Sequence, residues 1–310
     1  MNRATVIVPA TTANLGPGFD CLGAALTLYN QFQFSLTPET AGATTRITVR
    51  GNESKKVSNG EDNLLYRAWS RLYQEIGQTP PSVAIDIQLG VPLARGLGSS
   101  ATAIVGGLMA ANQLAGQPLK RQEVMELAIA IEGHPDNVVP VLLGGCQLSV
   151  SEANCWQVCD IPWHPEIVPV VAIPDFELST AAARAVLPHQ IERRDAIFNV
   201  AHVGLLLRGL ETGRGDWLEA ALADRLHQPY RQSLIPGYAA VKAAALAAGA
   251  FGLAISGAGP TLLALVPPSR AAAVATAMEV AWQGEGVKAE SRPLVLDLEG
   301  ARFVESHGLV

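Results

Sequence analysis

Glycine and serine residues in the segment RGLGSSATA, Arg95–Ala103, form a pattern that can bind phosphate. Gly96 and Gly98 are followed by Ser99 and Ser100, and an alanine-rich stretch continues the chain. If the serines begin a helix, its unpaired backbone N–H groups and its dipole create an anion site. The two hydroxyls could serve one phosphate and one metal ion. The segment therefore predicts a phosphate cradle.

Three other interpretations of this segment compete with the cradle. The letters match the GxGxxA turn of dinucleotide-binding folds, but no acidic residue follows about 20 positions later to hold a ribose. A Walker loop requires lysine directly before the serine, and Gly98 stands there. The third interpretation is close packing of two structural elements at the glycines, and the hexapeptide Gly96–Ala101 alone does not exclude it. The strand-like segment and the Pro92 turn before the glycines favour the cradle.

Two further small-residue segments carry groups that could touch a ligand. ATTANLGPGFDCLG, Ala10–Gly23, contains Asn14 and Asp20, which could bind an amine or a hydroxyl. An Asx-turn with a cap is the structural alternative for them. SGAGPTLLAL, Ser256–Leu265, is a second glycine turn, for which a hairpin loop has equal weight. Because each of the three loops adjoins a predicted strand, we expect them to meet at one ligand.

A cluster of polar residues in EGHPDNVVP, Glu132–Pro140, lies between two apolar runs. A histidine near a helix end is usually a cap, and the spacing matches no standard zinc motif. Glu132 beside the hydroxyl of Ser100 would suit Mg²⁺, which prefers oxygen ligands. Arg184 and Arg231 stand in segments of low charge, where a guanidinium could hold a carboxylate in bidentate fashion. For a single arginine, a solvent-facing helix is the usual explanation.

The elements that must position these residues can be predicted from periodicity. Alternation and β-branched content predict strands at 5–10, 32–36, 45–51 and 83–89. Helical spacing predicts helices at 62–77, 99–114 and 120–133. After a proline-rich stretch, helices are predicted at 179–187, 190–210, 236–248 and 270–283, with strands between the last two and after the last. We predict two α+β domains, residues 1–160 and 161–310.

Composition excludes several classes of protein. The 310 residues carry a net charge of −6, which argues against nucleic acid as a partner. No hydrophobic signal core opens the chain, and the four scattered cysteines suggest reduced thiols, so we expect a cytoplasmic protein. Gly96–Leu119 and Ala243–Ser269 lack charge, but polar and glycine-rich interruptions favour buried elements over membrane spans.

The motifs ANLGPGFDCLG, PLARGLGSSA and SGAGPT, in this order and together with EGHPDNV, resemble those of the GHMP small-molecule kinases. The resemblance covers essentially the whole chain. Galactokinase-like and mevalonate-kinase-like members carry a different first motif, closer to PGRVNLIGEH or PGKVILFGEH. The resemblance implies an N-terminal domain like domain 2 of ribosomal protein S5 and a ferredoxin-like C-terminal domain, with ATP and substrate bound between them.

The resemblance also assigns the site residue by residue. Those implied to bind the nucleotide are Asn63, Pro92, Leu93, Ala94, Arg95, Gly96, Leu97, Gly98, Ser99, Ser100 and Ala101. Those implied to surround the second substrate are Asn14, Asp20, His134, Asp136, Arg184, Arg231 and Gly257. Ser100 and Glu132 would hold Mg²⁺, and Thr180 and Asn137 would lie near the transferred phosphoryl group, completing the catalytic set. The family pattern does not require Arg95, so its role is open.

The activity implied is ATP-dependent phosphorylation of the side-chain hydroxyl of L-homoserine to O-phospho-L-homoserine, in threonine biosynthesis. Two arginines would hold the substrate carboxylate, and Asp20 and Asp136 would pair with its ammonium. Because phosphoryl transfer needs mainly alignment and charge neutralisation, we expect no dedicated general base. A family member acting on another small alcohol is the alternative, followed by a silent binding protein, which would be expected to lack Ser100 or Glu132. Family members are often dimers, and the oligomeric state stays open.

Overall fold

The structure is a computed structural model that describes residues 2–38, 45–152 and 155–304. Its strands are β1 Arg3–Ala13, β2 Leu22–Leu36, β3 Arg46–Arg50, β4 Val83–Gln88, β5 Cys146–Glu152, β6 Cys155–Ile161, β7 Val168–Pro174, β8 Gly252–Ile255, β9 Leu262–Val266, β10 Ala289–Pro293 and β11 Arg302–Phe303. Its α-helices are α1 Leu64–Glu75, α2 Ser99–Leu114, α3 Arg121–Glu132, α4 Pro135–Leu143, α5 Thr180–Ala185, α6 Arg193–Thr212, α7 Gly215–Ala221, α8 Gln228–Arg231, α9 Tyr238–Ala247 and α10 Ala271–Gly284.

The first sheet has the order β11-β1-β2-β4-β3, and β5 pairs with the start of β2 and with β6. Only the β3–β4 pairing among these described strands is parallel, with α1 in the connection. Alternation places Val83, Ile85 and Ile87 of β4 in the core, as predicted. The Phe34 and Trp69 rings stack 5.1 Å apart there, so α1 is anchored on β2.

The second sheet has the order β10-β7-β9-β8, with every pairing antiparallel. Helices connect β7 to β8 and β9 to β10, which gives the βαββαβ order of a ferredoxin-like fold. Val241 of α9 and Met278 and Trp282 of α10 are fully buried against the sheet. The predicted α+β class with its ferredoxin-like second part is confirmed.

Several elements differ from the sequence prediction. The segment after His134, expected only as a polar helix end, forms the separate helix α4, which begins at Pro135 and contains Pro140. Proline suits the first turn of a helix because its missing N–H has no partner there in any case. Strand β2 begins at Leu22, ten residues before the predicted start, and the β5–β6 hairpin was not predicted.

The division near residue 160 stays a prediction. Strand β6 ends the first sheet's hairpin at Ile161, and the second sheet begins with β7 at Val168. Near the end of the described chain, β11 returns to pair with β1, so the last residues contribute to the first sheet.

Neither uncharged stretch forms a long continuous helix. Residues 96–119 contain α2, and residues 243–269 contain the end of α9, then β8 and β9. Throughout the described part of the chain, no helix has both the length and the apolar character needed to cross a membrane. The four cysteines are unpaired.

Candidate active site

The three small-residue loops are hydrogen-bonded to one another, as expected from the sequence. Thr11 N donates to Leu97 O at 3.1 Å, and Gly257 N donates to Ala13 O at 3.0 Å. The hydroxyl of Ser256 donates to Gly96 O at 2.7 Å. The SGAGPT turn is the hairpin loop between β8 and β9, and it also contacts the other two small-residue loops.

Gly96 and Gly98 are required by both conformation and contact. Their φ angles are 73° and 69°, in the left-handed region that favours glycine. A Cβ on Gly96 would lie 2.2 Å from Ser256 O, and one on Gly98 would lie 2.0 Å from Thr11 Oγ1. Gly98 is the N-cap residue of α2, so Ser99 and Ser100 begin that helix. Close packing and an anion-binding helix start therefore coexist in one segment.

A cleft of about 310 Å³ opens in front of the start of α2. It brings together most of the residues predicted for the site, namely Asn14, Asp20, Ala94, Arg95, Gly96, Gly98, Ser99, Ser100, Glu132, His134, Asp136, Asn137, Thr180, Arg184, Arg231 and Gly257. Leu97 and Ala101 are instead fully buried, so their side chains belong to the core. Pro92 lines a different groove.

Asn63 and Leu93 line an apolar recess of about 250 Å³, which shares Ala94, Ser99 and Ser100 with the cleft. Phe32, Val57, Leu65, Ile87 and Leu89 form much of its wall. Asn63 Oδ1 accepts the N–H groups of Leu65 and Tyr66 and thus caps α1, while its amide donates to Ser58 O. A flat apolar group could lie in this recess while a connected phosphate reaches the start of α2.

Ser100 and Glu132 meet at the cleft, although 32 positions separate them. Ser100 is in the first turn of α2 and Glu132 is the last residue of α3, and Ser100 Oγ donates to Glu132 Oε1 at 2.6 Å. A hydroxyl and a carboxylate beside an anion-binding helix start are oxygen ligands of the kind that Mg²⁺ prefers. The donor set of these two residues thus fits Mg²⁺.

A negatively charged corner is formed by Asp20, His134 and Asp136. One donor atom from each lies within 4.8 Å of the others, and His134 Nδ1 lies 2.5 Å from Asp136 Oδ1. Burial, together with the charges of Asp136 and Asp20, raises the pKa of the neighbouring Cys21 thiol to about 11. The corner attracts a cationic group.

The His134 imidazole has a raised pKa. Burial acts to lower it, but the hydrogen bond to Asp136 and the charges of Asp136, Glu132 and Asp20 outweigh burial. A raised folded-state pKa means that the ion pair stabilises the fold fully below the unfolded pKa of about 6.5. That contribution disappears as the pH rises through the folded-state pKa.

Asp136→Asn is expected to lower the His134 pKa, because burial would remain while the main favourable partner is lost. NMR titration of the histidine C–H resonances measures this directly. The wild-type protein, titrated under the same conditions, provides the control. An unchanged His134 titration would contradict the proposed origin of the raised pKa.

The two predicted arginines face the same cleft but differ in environment. Arg184 binds Asp20 in bidentate fashion, with N–O distances of 2.9 and 2.7 Å. Arg231 is buried, and its Nε and Nη1 donate to Ala183 O and Gly257 O, both at 3.1 Å. A ligand can therefore bind Nη2 of Arg231, but it cannot bind two nitrogens of the guanidinium at once.

Arg95, whose role the sequence left open, ties the glycine segment to the second sheet. Its guanidinium donates to Leu93 O, Pro174 O and Asp175 O at 2.7 to 2.9 Å. Glu53 lies 3.6 Å away as a counter-charge. Because the guanidinium is occupied by these groups, any contact of Arg95 with a nucleotide would come from its backbone.

Hydrogen bonds hold the remaining amide side chains of the cleft. Asn14 donates to Gly257 O at 2.9 Å and accepts from the backbone N–H of Asp20 at 3.0 Å, so its side chain connects two of the loops. Asn137 accepts from the Thr11 hydroxyl at 2.7 Å. Thr180 is the first residue of α5 and also lines the cleft.

A group of residues that packs next to Arg231 was not predicted from the sequence. The Phe19 ring stacks on His227 with centroids 5.1 Å apart, and Asp224 accepts the backbone N–H of His227 at 3.0 Å. Asn199 donates to Asp224 at 2.7 Å. Their one local signal in the sequence is spacing: Asp224 and His227 precede the short helix α8, and Arg231 ends it.

Comparison with known families agrees with this architecture. The profile described as GHMP kinases N terminal domain matches residues 63–145, and the profile described as GHMP kinases C terminal matches residues 206–282. The first match includes the glycine segment and α4, and the second includes Arg231 and the SGAGPT turn. The chain belongs to the GHMP kinase family.

Full-length relatives indicate the branch of that family. The chain is 66% identical over 301 residues to a homoserine kinase of Trichormus variabilis, with 97% of this chain and 99% of the relative covered. It is 63% identical to a homoserine kinase of Crocosphaera subtropica, with 99% of each covered. The crystal structure of homoserine kinase from Cytophaga hutchinsonii superposes with a TM-score of 0.88 at 29% identity, covering 98% of both chains. The place of this chain in the family is therefore among the homoserine kinases.

Proposed function

We propose that the protein transfers the γ-phosphoryl group of ATP to the side-chain hydroxyl of L-homoserine, giving ADP and O-phospho-L-homoserine. The observation that carries the proposal is the composition of the cleft. It combines a helix start suited to phosphate with carboxylates and guanidiniums suited to an amino acid, within about 310 Å³. The relatives named homoserine kinase support the same activity.

In this proposal the triphosphate lies along residues 92–101 and the adenine occupies the apolar recess beside Asn63. The first N–H groups of α2 have no partner within the helix, so they can donate to phosphate oxygens. The recess and the cleft share Ser99 and Ser100, so one nucleotide can occupy both. Ser100 and Glu132 would hold Mg²⁺, which when bound neutralises phosphate charge.

The amino acid would bind between opposite charges. Arg231 and Arg184 would face its carboxylate, and Asp136 and Asp20 would face its ammonium. Arg184 and Asp20 also bind each other, so this pair forms a preorganised wall of the pocket. Such an arrangement selects a zwitterion over an uncharged alcohol, because a neutral ligand would leave the buried Arg231 cation without a carboxylate partner.

The chemistry would rest on alignment. Thr180 and Asn137 would lie near the transferred phosphoryl group, opposite the hydroxyl of the bound amino acid. A loose transition state requires little proton removal before attack. Asp136, already bound to His134 and facing an ammonium, is poorly suited to accept a proton. We therefore propose that the reaction uses no dedicated general base. We also propose that the enzyme acts in the cytoplasm, in threonine biosynthesis.

The decisive test is ADP release by the purified protein with Mg-ATP and one acceptor per assay: homoserine, serine, threonine, mevalonate or galactose. Turnover with homoserine, and little with the others, is the expected result. Turnover with mevalonate or galactose in place of homoserine would support kinase activity but contradict the proposal that the pocket binds an amino acid. A folded protein that turns over none of the acceptors would contradict the proposal as a whole.

A further inference from the structure

We propose that His227 is a positioning residue, which holds the Arg231 guanidinium so that its Nη2 nitrogen faces the cleft and thereby sets the affinity for the substrate carboxylate. The carboxylate as the ligand of Arg231 rests on the proposed function. The contact between the two side chains rests on geometry alone.

The guanidinium of Arg231 is held on two of its three nitrogens. Nε donates to Ala183 O, and Nη1 donates to Gly257 O and lies 3.2 Å from Nδ1 of His227. Among the described residues, none accepts a hydrogen bond from Nη2. Because Arg231 is 2% exposed and lines the cleft, Nη2 is the part of this cation that a ligand can reach.

The hydrogen-bond partners of His227 determine which of its nitrogens carries the proton. Nε2 lies 2.8 Å from Gly16 O, which can only accept, so Nε2 carries the hydrogen. Nη1 of Arg231 can only donate, so Nδ1 of His227 must be unprotonated. Both contacts therefore require the neutral ring. Burial lowers the His227 pKa and outweighs the opposing effect of Asp224, which supports the same state.

The imidazole is itself fixed from several sides. It is fully buried, stacks on Phe19, and has the Asp224 carboxylate 3.6 Å from its Nε2. His227 immediately precedes α8 and Arg231 ends it, a four-residue separation that places both side chains on one side of the turn. The guanidinium carbon of Arg231 also lies 5.1 Å from the Phe19 ring centroid. His227 thus connects the first loop to the arginine.

Loss of the Nδ1 acceptor would leave a buried N–H of Arg231 unpaired and would remove one of the three contacts that hold the guanidinium. Either effect weakens the binding of a carboxylate at Nη2. Neither reaches the start of α2, where the nucleotide is proposed to bind. The expected signature is a change in KM for homoserine with little change in KM for ATP.

Two variants separate this role from a structural one. His227→Gln extends a donor toward Gly16 O but lacks an acceptor at the Nδ1 position. His227→Asn places an amide oxygen near the Nδ1 position but cannot reach Gly16. Both remove the ring that stacks on Phe19, so they are matched for that loss. We expect His227→Gln to raise KM for homoserine about tenfold or more, and His227→Asn to raise it far less.

Thermal unfolding and KM for ATP are measured on the same variants. Equal increases of KM for homoserine in both, or increases that follow the loss of thermal stability, would overturn the proposal. A wild-type protein that does not turn over homoserine rejects the proposed function instead. In that case, or if His227→Gln does not fold, ¹⁵N NMR of the wild-type imidazole decides. The neutral Nε2–H form is expected, and the Nδ1–H form or an imidazolium at neutral pH overturns the proposed contact.

Discussion

Glu132→Gln is expected to lower kcat about 10²-fold or more, because the proposed ligand of Mg²⁺ would lose its negative charge while keeping its shape. The amide oxygen of glutamine can still accept the Ser100 hydroxyl, so the local fold should survive. The Mg²⁺ concentration that gives half-maximal activity should rise about tenfold or more, since a neutral amide binds the cation less tightly. Steady-state kinetics at several Mg²⁺ concentrations measures both effects.

Glu126→Gln is the matched control for this prediction. Glu126 is on the same helix, and its carboxylate accepts from Gln122 on an exposed part of α3. Its substitution should leave kcat and the Mg²⁺ response unchanged. If Glu132→Gln lowers kcat but shows the wild-type Mg²⁺ response, Glu132 is not a ligand of the cation.

The glycine loop and the start of α2, which are proposed to bind phosphate, were predictable because their determinants are local. A strand, a turn, two glycines and two serines follow one another between Val83 and Ser100, and the residue type at each of these positions indicates the local structure that it favours. The meeting of Ser100 with Glu132 was also predicted, although from the resemblance and the chemistry of Mg²⁺ rather than from any rule of spacing. The ferredoxin-like order followed from the resemblance in the same way.

The pairing of Arg184 with Asp20 could not be predicted, because 164 positions separate the two residues. Each was expected to contact the substrate separately, and long-range pairing depends on how α5 packs against the first loop. His227 was missed for a different reason. A single histidine in a helical segment carries no signal of its own, and its partners Gly16, Phe19 and Arg231 meet only in the folded chain. Helix α4 was not predicted because a proline such as Pro135 can either begin a helix or interrupt one.

The largest effect in the cradle is expected from Gly96→Ala. Gly96 has a φ of 73°, and an added Cβ would lie 2.2 Å from Ser256 O and 2.8 Å from Gly259 O, which are backbone atoms. To relieve these contacts, the cradle and the SGAGPT turn would have to separate, and the hydrogen bond that the Ser256 hydroxyl donates to Gly96 O would lengthen. A displacement of about 1 Å in such a site can cost about 10²-fold in rate, so we expect kcat/KM for ATP to fall by that order.

Gly116→Ala separates the steric effect from backbone strain. Gly116 has a φ of 86°, but no heavy atom lies within 4 Å of the position of an added Cβ. Both variants should lose about 1–2 kcal/mol of stability from the left-handed conformation. Only Gly96→Ala should also lose activity toward ATP, measured on folded protein below both unfolding transitions. Equal kinetics in the two variants would mean that the loop contact at Gly96 does not hold the cradle. Gly96 would then be needed only for its left-handed backbone conformation. The phosphate site would depend on the start of α2 and not on contact with the β8–β9 hairpin.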